Sequence, residues 1–111
     1  MKILICGGRD FSDRDWMQTV IAFTVPSCII TGMAKGADRL AYDLAKELNI
    51  PVECYPADWD TYGKSAGYRR NEQMLKEGRP NKVIAFPGGR GTAHMIKIAK
   101  EAGIRTVVLT K

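Results

Sequence analysis

At 111 residues, with 45% hydrophobic and 26% charged side chains, the chain has the size and composition of one globular domain that buries its own core. No apolar run approaches the roughly 18 residues needed to cross a bilayer, and the opening MKILICGG lacks the longer apolar region and cleavage site of a secretory signal, so a cytoplasmic protein without membrane contact is expected. A formal net charge of +5 favours an anionic partner, while three cysteines without CxxC spacing and a single histidine argue against a disulfide framework or a zinc site.

In chain order, KILIC reads as a buried strand that runs into Gly7 and Gly8. Ser12, with Asp15 three residues on, resembles a capping box opening a helix over about 14–23. SCIIT is a second strand, followed by the loop TGMAKGAD and a helix over about 37–48. PVECYP is a third strand, and the connection at 57–67 is long for a strand-to-helix loop, which raises the question of a lid. A helix over about 67–77 ends at Gly78 and Pro80. KVIAF, the loop PGGRGT, a helix over about 92–102 ended by Gly103, and the strand RTVVLT complete the chain. Five strands and four helices in strict alternation, with strands apolar on both faces, predict an α/β fold. The expected architecture is a single Rossmann-like three-layer domain over 1–111, its five-stranded parallel sheet in the order 3-2-1-4-5 with helices on both faces. Cys6, Cys28 and Cys54 each lie in or beside a strand and are expected to be reduced, buried thiols.

In such a sheet the ligand crevice lies at the C-terminal strand ends where the strand order reverses, here between strands one and four. The loops leaving those strands, GGRDF and PGGRGT, carry most of the candidate site: Gly8, Arg9 and Asp10 from the first, Gly88, Gly89, Arg90, Gly91 and Thr92 from the second. Glycines that let backbone N–H groups approach an anion, followed by a helix N-terminus, make a phosphate cradle. The loop after strand two adds Gly32, Lys35 and Gly36, with Asp38 read either as a helix cap, which is favoured, or as an acceptor for a ribose hydroxyl. In PADWDTYGKSAGYRRN, Trp59 and Tyr62 offer stacking surface for a base, Trp59 being read equally as a lid residue. Arg69 and Asn71 are assigned to the ligand. Arg70 is read equally as part of a solvated basic face, because adjacent helical residues do not share one face. No nucleophile elbow or metal cluster is present. Asp10 and Asp58 are weak candidates for a catalytic carboxylate.

The motifs CGGRDF, GMAKGAD, PADWDTYGKSAGYRRN and FPGGRGTAHM, in this order over essentially the whole chain, resemble the YspA-like, YpsA-related branch of the SLOG superfamily. The resemblance implies a Rossmann-like layer that binds nucleotides or nucleotide-derived ligands, with more distant similarity to the Lonely Guy phosphoribohydrolases and to DprA, which binds single-stranded DNA. Lonely Guy enzymes carry PGGxGTxxE. Their glycine and threonine positions fall on Gly88, Gly89, Gly91 and Thr92, but their catalytic glutamate falls on Met95, which neither activates water nor stabilises a cationic sugar. The expected function is therefore a nucleotide-binding or sensing module with no cofactor and no metal. The alternatives are a nucleotide N-glycoside hydrolase using Asp10 or Asp58, and single-stranded nucleic-acid binding. A homodimer is also expected from the resemblance.

Overall fold

Strand β1 (Lys2–Cys6) is the centre of the molecule, and its alternating side chains seed both halves of the core. In the computed structural model, which describes residues 1–110, Ile3 and Ile5 pack toward helices α1 (Arg14–Thr24) and α2 (Ala37–Glu47), against Met17, Ile21, Ala41 and Leu44. Leu4 and Cys6 point the other way, toward helices α4 (Ala66–Gln73) and α5 (Arg90–Glu101), where Met74, Met95 and Ala99 close the second half. Each fully buried Ile or Leu is worth about 1.5–3 kcal/mol relative to exposure, so two apolar faces on one strand commit it to the middle of three layers. This period-two alternation also puts the Cys6 side chain on the α4 and α5 side.

The sheet is parallel throughout and ordered β3-β2-β1-β4-β5, with β2 at Cys28–Thr31, β3 at Val52–Cys54, β4 at Lys82–Ala85 and β5 at Arg105–Val108. The register pairs Leu4 with Ile30 on one side and with Val83 on the other. The order expected from the alternation of strands and helices is the order observed. No helix among the described residues is long and apolar enough to cross a membrane.

Several local expectations are corrected. Helix α1 is capped by Asp13, whose carboxylate accepts from the Trp16 N–H at 3.1 Å, and not by Ser12. Asp38 does not cap α2, whose N-cap is Gly36 without a side-chain bond. The connection at 57–67 is not an irregular loop: it holds helix α3 (Trp59–Tyr62), capped by Asp58, and a 3₁₀ turn over Gly63–Ser65, giving five α-helices in place of four. Helix α4 runs on into a π-helical turn at Met74–Gly78 and ends with Arg79 in the left-handed region at φ 51°, so the residue that reverses the chain is Arg79 and not Gly78. A Cβ at Gly78 would come within 3.0 Å of Ile30, so that glycine serves close packing. All three thiols are free, but only Cys6 is buried; Cys54 is exposed because β3 is a short edge strand. Gly103, at φ 75°, ends α5 as expected, with Gly103 N–H donating to the Lys100 carbonyl and Ile104 N–H to that of Ala99.

Candidate functional site

The reversal of strand order between β1 and β4 opens a crevice of about 880 Å3 at their C-terminal ends. Its base is a backbone junction at Gly8. The Gly8 N–H donates to the Pro87 carbonyl at 2.9 Å, and the Gly8 carbonyl accepts from the Ala37 N–H at 3.1 Å, so the loops after β1, β2 and β4 meet at one residue. No side chain fits there. A Cβ at Gly8 would lie 2.8 Å from the Gly88 Cα, and a Cβ at Gly88 would lie 2.6 Å from the Gly8 nitrogen and collide with the Thr92 hydroxyl. At Gly36, with φ 91°, a Cβ would collide with the carbonyls of Gly8 and Arg9. Gly89 and Gly91 differ: a Cβ at either would meet nothing within 4 Å, so packing does not require them and the space over both is open.

Helix α5 begins in that open space. Its N-cap is Gly89, no side chain caps it, and its first turn holds no acidic residue. The first intrahelical bond runs from Ala93 N–H to the Gly89 carbonyl at 3.0 Å, which leaves the amides of Arg90, Gly91 and Thr92 without an intrahelical acceptor. Thr92 is buried at 7% exposure and lines the crevice, and its hydroxyl makes no hydrogen bond among the described residues. Three amides at the positive end of a twelve-residue helix and one hydroxyl thus converge on one place, an arrangement that favours an anion.

From α5 a polar chain crosses the crevice to α2. Asn71, buried on α4, donates its amide to the Gly91 carbonyl and to Nδ1 of His94, both at 3.1 Å, and its Oδ1 accepts from Arg70 Nε at 3.1 Å. Arg70 Nη1 donates to the Gly32 carbonyl, which holds the loop after β2. Beyond Arg70 lies Asp38, 6% exposed, one carboxylate oxygen accepting from the Ala34 N–H at 3.3 Å. Burial raises the Asp38 pKa to about 6, although the Arg70 guanidinium and the Ala34 amide pull it down. Burial likewise lowers the Arg70 pKa, opposed by Asp38. The Cys6 thiol on the crevice floor is pushed far above its ordinary range by burial first and by Asp38 second, so it is an inert, protonated thiol. Burial also lowers the His94 pKa, and the ring stacks on Tyr68 at 4.3 Å between centroids.

Two aromatic surfaces border the crevice. Phe11 and Trp16 form one, backed by the buried Phe86, the three rings packed at 4.9 to 5.8 Å between centroids. Trp59 of α3 and Tyr68 of α4 supply the other aromatic lining, the Trp59 ring lying over Gly67. Arg9, Lys64, Arg70 and Arg90 are the basic lining residues.

Of the residues expected at the site, Gly8, Arg9 and Asp10 line the crevice, as do Asp38, Trp59 and Asn71 and the run from Gly88 to Thr92. Gly32 and Gly36 stand behind the lining, one holding Arg70 and the other packed on Gly8. Lys35 is exposed outside it. Arg69 is turned outward, stacked on the Tyr62 ring at 4.5 Å, so helix phase gives the crevice to Arg70. Asp58 is spent on the Thr61 N–H at the start of α3 and lies outside the lining, which leaves Asp10 as the sole carboxylate of that pair in the crevice. Trp16, Tyr68 and Cys6 join the lining from outside the expected residues, and Phe11, which closes the expected loop GGRDF, adds a ring to it. Met95 is fully buried among Leu4, Cys6 and Met74 and does not line the crevice.

Among the described residues no three His, Cys, Asp or Glu side chains cluster in a way that would hold a metal ion. A model of the YspA, cpYpsA-related SLOG family matches residues 1–62, the part that carries the loops after β1 and β2 and helix α3. Over 118 aligned residues the chain is 34% identical to the Gene 61 protein of Mycobacterium phage D29, covering 96% of this chain and 94% of that protein.

Proposed function

Because this chain belongs to the YspA, cpYpsA-related SLOG family, whose membership points to nucleotide-related binding or processing, we propose that it binds a nucleotide or nucleotide-derived small molecule in the crevice between β1 and β4. The observation that carries this reading is the start of α5: three amides without intrahelical acceptors, the buried Thr92 hydroxyl, and open space above Gly89 and Gly91. A phosphate group seated there satisfies all four donors. Arg9, Lys64 and Arg90 draw the anion in from the rim, and one of the two aromatic surfaces stacks on the base. Nothing in this arrangement needs to break a bond.

The test is a thermal-shift panel of AMP, GMP, ADP-ribose, NAD and cyclic nucleotides, with chromatography of the same tubes. Stabilisation by at least one ligand without release of free base is expected. Gly89→Val and Arg9→Ala should each weaken binding at least about tenfold while leaving the ligand-free melting temperature in place, because Gly89 has open space around it and Arg9 is exposed. Wild-type affinity in both variants would remove the crevice from the argument. Release of base would favour a hydrolase whose carboxylate is not at position 95, and Asp10 would be replaced first. An oligonucleotide bound far more tightly than any mononucleotide, with affinity falling steeply in salt, would favour a single-stranded nucleic acid instead.

A further inference from the structure

We propose that Asp38, together with Arg70, is a ribose subsite that makes the crevice selective for ribonucleotides over their deoxy counterparts; this rests on the nucleotide-binding reading above. Asp38 is more than nine-tenths buried, yet only one of its two oxygens has a partner, the Ala34 N–H. Since no buried side-chain oxygen or nitrogen among the described residues lacks a partner, the second oxygen must touch the solvent of the crevice that Asp38 lines. A buried carboxylate oxygen aimed into a cavity asks for a donor.

The chemistry of that donor follows from its neighbour. Arg70 feels Asp38 electrostatically, but the two do not close a salt bridge, and Arg70 Nη2 makes no hydrogen bond among the described residues. A group that fits between an open carboxylate oxygen and an open guanidinium must donate to one and accept from the other. A hydroxyl does both, whereas an amino group only donates. Position selects the sugar. Asp38 follows Ala37, whose N–H is bonded to Gly8, and Gly8 touches Gly88 at the phosphate cradle. Arg70 reaches the same cradle through Asn71 and Gly91. Two such short paths place the carboxylate beside the phosphate, where the ribose lies, while the aromatic surfaces remain for the base.

A deoxy ligand that covers Asp38 without bonding it strands a buried charge, and sites of that kind discriminate strongly. The experiment is calorimetric titration, at pH 7.5, of the 5′-monophosphates of adenosine, guanosine, cytidine and uridine with their 2′-deoxy and 3′-deoxy counterparts. For whichever base binds, the ribonucleotide should bind about ten- to a hundredfold more tightly than at least one deoxy form. Asp38→Asn should shrink that ratio to within about threefold. Thr92→Val, on the phosphate side, should weaken ribo and deoxy forms alike and leave the ratio standing. Equal affinity of all three sugars for the wild-type protein, or a full ratio retained in Asp38→Asn, would overturn the ribose subsite while leaving nucleotide binding intact. If no nucleotide binds, the nucleotide reading itself fails and the subsite falls with it.

Discussion

Asp38 is expensive to keep ionised. Its carboxyl is buried, and its pKa stands at about 6 against an ordinary value of 3.8, so the folded state prefers the protonated form. Because the folded value lies above the unfolded one, whatever this group adds to stability is present below about pH 4 and is lost as pH rises through about 6. At pH 7.5 the ionised group opposes folding by about 2–3 kcal/mol, taking 1.36 kcal/mol per pKa unit. Asp38→Asn keeps an acceptor for Ala34 without the charge, and should raise ligand-free stability at pH 7.5 by about 1–3 kcal/mol, the gain vanishing near pH 4. Urea denaturation at the two pH values measures this, and a variant less stable than wild type at pH 7.5 would contradict the environment described for the carboxylate. Part of the placement was legible in the sequence: Gly8, Gly88, Gly89, Gly91 and Thr92 could be put at the crevice from residue type and strand order alone, whereas the burial of Asp38 in the lining could not. Helix phase separates Arg70, which lines the crevice, from Arg69, which does not. Ala66 and Met74, four residues either side of Arg70, are both buried, and that spacing places Arg70 on the inward face of α4.

At the scale of elements, Asn71 is the tie between α4 and α5. One side chain fixes the direction of Arg70, holds the Gly91 carbonyl in the first turn of α5, and sets His94 as a neutral ring that accepts at Nδ1 and carries its proton on Nε2. Asn71→Ala strands these partners together, so a loss of about 1–3 kcal/mol in stability is expected, with weaker nucleotide binding as Arg70 and the α5 start lose their mutual alignment. Denaturation and titration of the same variant would show both; an unchanged affinity would mean that Arg70 and the cradle act independently. Helix ends were only partly readable. Gly103 announces itself by its φ requirement, but the π-helical turn at Met74–Gly78 arises where Gly78 packs on Ile30 of another element, and no local residue pattern encodes that contact. Helix α3 was missed because it is four residues long, too short to show an apolar period.

For the whole molecule, strand order followed from a general rule: alternating strands and helices with right-handed crossovers leave few arrangements, and the two richest glycine loops then fall together at the reversal. Net charge was the weaker guide. Of the basic residues in or just after glycine-containing connections, Lys35, Arg39 and Arg69 lie outside the crevice, so +5 for the chain overstates the positive field at the site. The junction at Gly8 has a different kind of consequence, in how the backbone trades protons with solvent. Amides in connecting loops and at helix starts ordinarily exchange fast, yet the N–H groups of Gly8 and of Ala37, the first residue of α2, are held by carbonyls of neighbouring loops under the crevice. In deuterium oxide they should exchange on the timescale of β1 and β4 rather than that of loops. The amides of Arg90, Gly91 and Thr92 belong to a regular helix and should nonetheless exchange fast, slowing only when an anion is added. The secondary structure would then appear inverted in an exchange map, with loops behaving as core and the start of a helix as loop, and the residues whose protons respond to ligand would outline the site without any chemical label.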